Sequence, residues 1–327
     1  MNINKIKSGV ILGRGKYDWI AGGNSAIQHD ILIPNKDWKQ IKVEREIQWT
    51  GKYDTLFCVT YSALKSLAKL LTYLEGKGLL TKKQLDFWAD YKVNGMYNFS
   101  ERFPGTLGET TTYGAYQFKI ANAIRKFGLV PQSMFELADN FQDNIDKKFI
   151  TEEMYAKGRE SLEYIAINYE WVDNLMDNLQ FSPVQTIVKF ENYINPEDIL
   201  SPDGTLNHAV TGVYAVTEYD EIEDTYWQEF KRYNPDYTHS CMAYYITLIN
   251  NNNNMDTTTF LKVNDKKWVR NKNNGAFGRV LQNKLFTADT QDRGTLMLLD
   301  DKVRENGIQI SNEEWGQLEA EGYVVNF

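Results

Sequence analysis

Four residues have types and positions that together could attack a carbonyl: Cys58, His208, Asp224 and Gln48. A thiol is nucleophilic as its thiolate, which the positive end of a helix and a nearby imidazolium both favour. Cys58 stands where Val59, Ala63, Leu67, Leu70, Leu71 and Leu74 begin to recur at helical spacing, so a helix is predicted to start at the sulfur. The base must be one of three histidines, His29, His208 or His239. His208 opens an apolar, strand-like run, and Asp224 falls at the far end of the hairpin that run begins. A strand out and a strand back would return Asp224 beside the imidazole and fix its tautomer. Gln48 precedes Cys58 and, with the Cys58 backbone N–H, could stabilise an oxyanion. Taken singly, each residue has a plainer reading: a buried core thiol, a strand-edge histidine, a turn carboxylate, a surface amide. It is the set that points to acyl chemistry.

The elements that must position these groups can be read from the pattern. After the helix at Cys58, a second helix is predicted over 81–91 with Thr81 as its cap, and a third over 115–126 ending at Gly128. Residues 152–179 read as helical with a break. The texture then changes, and 182–190, 208–216 and 238–249 read as strands. Helices first and strands second predict an α+β fold in two lobes. The expected organisation is an N-terminal extension (1–35), a catalytic domain (36–249), an Asn-rich linker (250–257) and a small C-terminal module (258–327).

Composition narrows the field. The chain has 327 residues, a net charge of -8 and no basic stripe, which argues against a nucleic-acid partner. Two cysteines, Cys58 and Cys241, exclude a disulfide framework and a multi-cysteine zinc site. His239 and Cys241 would share a strand face, but no second ligand pair accompanies them, so no metal or other cofactor is expected. The N-terminal residues carry no apolar run of signal-peptide or membrane-span length. The expected location is therefore cytoplasmic or virion-associated. Gly13-Arg14-Gly15 is too short for a phosphate loop, and Glu152-Glu153 and Glu313-Glu314 read as solvated helix starts.

Read in order, the chain resembles the papain (C1-type) family of cysteine peptidases over residues 37–249. Asp37-Trp38 resembles the Asp-Trp near that family's mature N-terminus, and Gln48 stands where its oxyanion glutamine is expected. Phe57-Cys58-Val59-Thr60-Tyr61-Ser62-Ala63 resembles the nucleophile segment, and Phe99-Ser100-Glu101 the step into the next helix. Gly114 resembles the glycine-lined cleft wall, Ser182-Pro183-Val184 the Gly-Pro-Val strand, and Asn207-His208-Ala209-Val210 the histidine motif. The 150 residues from Cys58 to His208 fit the family's separation of about 130–150. The departures are Val59 in place of an aromatic, Asp224 in place of asparagine, and a few extra residues between Gln48 and Cys58.

The resemblance implies a papain-like thiol hydrolase that cleaves peptide bonds through a Cys58–His208–Asp224 triad, with Gln48 at the oxyanion. Two rivals use the same fold. One is a phage virion or host-binding component with weak or no catalysis, reaching a virion or cell-surface partner through the C-terminal module. The other is a cell-wall peptide amidase.

Overall fold

The computed structural model describes residues 10–12, 29–44, 47–190, 198–202, 204–224 and 230–249, and the backbone of five short strands between 268 and 326. The chain divides into two units, Met1–Leu248 and Ile249–Phe327.

The helical spacing after Cys58 becomes α1 (Cys58–Gly76), buried along nearly its whole length. Among its buried polar residues, Ser62 and Ser66 bond backbone carbonyls and Lys65 and Lys69 pair with Glu223, so α1 serves as the rod around which the first unit is built. Thr81 caps α2 (Lys82–Trp88) in a reciprocal capping box with Gln84. Next come the short hairpin β1 (Lys92–Val93) and β2 (Met96–Tyr97), then α3 (Arg102–Leu107), α4 (Gln117–Phe127), α5 (Phe141–Ile145) and α6 (Glu152–Ser161). α4 stops at Gly128, whose φ of +78° and closeness to the Gly158 carbonyl leave no room for a Cβ.

The helical reading of 152–179 is corrected in its middle. After α6 the chain forms β3 (Ile165–Trp171), and only α7 (Leu175–Asn178) follows as helix. Ile165, Ile167, Tyr169 and Trp171 point inward with a period of two, and β3 pairs with β9 from Ile165↔Leu248 to Trp171↔Met242. A distant strand decides this segment, and its local pattern could not show that.

The strands expected at 182–190, 208–216 and 238–249 form as β4 (Val184–Val188), β6 (His208–Ala215) and β9 (His239–Leu248), with β7 (Asp220–Glu223) as the hairpin return and two strands not foreseen, β5 (Ile199–Leu200) and β8 (Phe230–Tyr233). They join in one sheet of order β3-β9-β4-β6-β7-β8-β5. α1 packs on β6, β4 and β9, so the sheet and the long helix share a core.

The segment leading into α1 is held to both halves. Leu32 and Ile33 donate their N–H groups to Gln180 O, and Tyr73 donates its hydroxyl to Leu32 O. Trp38 is fully buried, donating its ring N–H to Leu179 O at 2.6 Å and its backbone N–H to Val213 O at 2.8 Å.

The second unit contains β10 (Trp268–Asn271), β11 (Phe277–Leu281), β12 (Lys284–Thr287), β13 (Ile308–Ile310) and β14 (Val324–Asn326), in the order β13-β10-β11-β12-β14. The expected linker 250–257, Gly13-Arg14-Gly15 and the helix start at Glu313-Glu314 lie outside the described residues. No helix among the described residues is long and apolar enough to cross a membrane.

Candidate active site

Cys58 is the first residue of α1, and the chain is bent sharply to put it there. Leu56 adopts a left-handed φ of +56°, rare for a residue with a side chain. Asp54 Oδ1 accepts the Leu56 N–H at 2.9 Å, and Thr55 Oγ1 accepts the Phe57 N–H at 3.4 Å. No side chain among the described residues caps α1. Two strands grip the helix's first turn. Gln185 on β4 donates to Val59 O at 2.6 Å and Ser62 Oγ at 2.7 Å, and Thr211 on β6 donates to Ser62 O at 3.1 Å. The backbone N–H groups of Ala209 and Val59 bond the sulfur. Ala209 follows His208, so the thiol lies against the strand end that carries the imidazole.

His208 begins β6, paired with Val188 of β4. β6 and β7 form the expected hairpin, with Thr211 opposite Glu223 and an irregularity between Gly212 and Tyr214. Asp224 follows β7 and places Oδ1 3.0 Å from His208 Nε2. Burial alone would raise the Asp224 carboxyl, but His208 and Lys231 hold it well below the usual carboxylate range. An ionised carboxylate only accepts, so Nε2 carries the proton donated to Asp224.

The extra residues between Gln48 and Cys58 form a tight hairpin. Trp49 pairs with Asp54, the Thr55 N–H returns to Gln48 O at 3.3 Å, and Gly51 turns the tip at φ +89°. The loose sequence separation is thus closed in space. The Gln48 side chain is buried and donates one amide N–H to Asp54 Oδ1 at 2.8 Å.

The site is closed. Cys58 is 0% exposed and His208 2%. Burial pushes the Cys58 thiol up to about 12, and the charges of Asp54 and Asp224 add to the rise, against the two N–H groups. Next to Gly114, Val10 bridges Ala115 in parallel register, with the Ile11 N–H on Ala115 O at 2.9 Å.

These elements can now be set beside known proteins. Xylellain, a cysteine protease from Xylella fastidiosa, is 12% identical, matches over 73% of this chain and 96% of its own, and superposes with a TM-score of 0.50. The chain has a papain-like fold. Within it Cys58 stands at the tip of α1 and His208 at the start of β6, one of the strands that pack on that helix. A cysteine protease from Carica candamarcensis (14% identity, 64% of this chain, 96% of its own, TM-score 0.37) and procathepsin B from Trypanosoma congolense (9%, 74%, 86%, 0.36) are more distant in shape. No family model matches the sequence, and neither does any curated protein.

Sequence reasoning missed three residues here. Lys231 donates to Asp224 Oδ2 at 2.8 Å, Asp54 anchors Gln48 and Leu56, and Gln185 fixes the first turn of α1. None carries a local signal: a lysine in a short polar strand, an aspartate in a loop and a glutamine among valines all read as ordinary. The expectation that His239 and Cys241 share a strand face is also corrected. His239 is exposed and Cys241 buried, because Ser240 has φ +50° and the β4–β9 register shifts there.

Proposed function

We propose that the first unit is a thiol hydrolase that cleaves peptide amide bonds. What supports it is a papain-like fold in which Cys58 tips α1, the helix packed on β6, and β6 begins with a His208 bonded to Asp224. Cys58 Sγ, as thiolate, attacks the carbonyl carbon, and the carbonyl π electrons move to oxygen. Gln48 and the Cys58 N–H stabilise that oxyanion. The C–N bond then breaks, its electrons leave with nitrogen, and protonated His208 supplies the amine's proton. Water gives its proton to His208 and its hydroxyl to the acyl carbon. The C–S bond breaks, a carboxylic acid leaves, and the thiolate–imidazolium pair returns. Asp224 keeps the imidazole in the tautomer these steps require. In the closed site burial keeps the thiol protonated; water reaching the sulfur as the site opens removes that desolvation and leaves the N–H groups and the imidazole to favour the thiolate.

Complete burial of Cys58 and its high thiol value favour a second reading, in which the papain-like domain binds a partner without cutting. Labelling with iodoacetamide across pH, read by peptide mass spectrometry on the whole chain, separates the two. Under the hydrolase reading Cys58 reacts well below the pH at which Cys241 reacts, and His208→Ala slows Cys58 at neutral pH by about 100-fold. Equal, slow reaction at both thiols overturns it.

A further inference from the structure

Behind His208 the charges do not stop at Asp224. The Lys231 side chain on β8 is 0% exposed, and its Nζ donates to Asp224 Oδ2 at 2.8 Å while Asp224 Oδ1 takes the imidazole. Phe190 closes the circuit. Its ring meets His208 edge-on, with centroids 5.5 Å apart at 85°, and the Lys231 ammonium sits 5.0 Å from its centre. Imidazole, carboxylate, ammonium and aromatic ring thus contact one another in a closed loop. A surface ion pair would mean little here, but this ammonium has been taken wholly out of water, which is costly unless the partner is fixed.

We propose that Lys231 is a positioning residue of the hydrolase site, holding Asp224 in the orientation that receives His208 and cancelling its charge so that the imidazole faces a net neutral acceptor. This rests on the hydrolase reading and deepens it. The charged and titratable groups around the reacting pair come from several elements: Cys58 from α1, Asp54 from the loop before it, Asp224 from the end of β7 and Lys231 from β8. Both proton losses at the Cys58–His208 pair make the site more negative. An unneutralised carboxylate therefore opposes each loss, and an unneutralised ammonium assists each.

The test is the pH profile of Cys58 labelling by iodoacetamide in the full chain, with Cys241 as internal control and thermal melts to confirm folding. The readout is where the profile lies on the pH axis, not its height. Lys231→Met moves it up by roughly one pH unit, Asp224→Asn moves it down by a similar amount, and Asp224→Asn with Lys231→Met returns it towards the wild type. That return distinguishes charge balance from mere packing, and the neutral pair keeps the test usable should either single variant fail to fold. A wild-type Cys58 that labels readily but whose profile ignores all three changes overturns the role of Lys231 and leaves the hydrolase reading intact. Equal, slow labelling of Cys58 and Cys241 in the wild type overturns the hydrolase reading itself.

Discussion

The two cysteines are almost equally deep, and in each case burial drives the thiol up to about 12. Their neighbours differ. Cys241 lies within a strand, with Thr186 Oγ1 at 3.4 Å as its polar contact and the distant charges of Asp220 and Asp173 raising it further. Cys58 lies at a helix tip with two backbone N–H groups on its sulfur, next to a His–Asp–Lys chain. Depth therefore does not separate a core thiol from a candidate nucleophile. What separates them is whether polar groups stand ready to take over once water or substrate enters.

That contrast can be attacked most heavily by removing each sulfur in turn. Cys58→Ser is expected to cut peptide hydrolysis by about 10⁴-fold or more, and Cys241→Ser to change it less than about twofold; comparable losses would erase the distinction. Gln48→Ala should lower kcat by about 10²-fold while leaving the rate of Cys58 alkylation unchanged, because alkylation passes through no oxyanion. Asp54→Asn keeps an acceptor for Gln48 and Leu56 but deletes a charge that raises the Cys58 thiol. Its labelling profile should fall by a few tenths of a pH unit, roughly, with Cys241 unmoved.

The smallest effect concerns the background opening that exposes Cys241. Buried Glu101 is pushed up to about 8 from an ordinary 4.5. Its folded value lies above its unfolded one, so its contribution to stability is complete below about 4.5 and lost as pH rises towards 8. The loss is at most about 1.4 kcal/mol per pH unit. Glu101→Gln should flatten the melting temperature across that window, and Cys241 labelling with it, without altering the lead of Cys58.

Much of this arrangement was legible in the residues because it is local or periodic. The apolar spacing from Val59 to Leu74 gave α1, Thr81 marked the start of α2, and the run from His208 gave the outgoing strand of the hairpin that ends at Asp224. What escaped depends on partners far along the chain. β3 exists through its register with β9, and the inward lysine Lys231 is intelligible only once Asp224 is beside it. The gap between Gln48 and Cys58 looked loose because a hairpin is measured by its closing pair, not by the residues it spans.

The lysines of α1 bear on how the site can be reached. Lys65 and Lys69 lie 3.2 and 3.0 Å from the two oxygens of Glu223, the residue before Asp224. Pulling the long helix away from the sheet would break both of these contacts and part the core that α1 shares with β6, β4 and β9. α1 and the sheet are riveted beside Asp224. Under the hydrolase proposal a substrate gains the sulfur by displacing whatever lies over it, not by prying the halves apart.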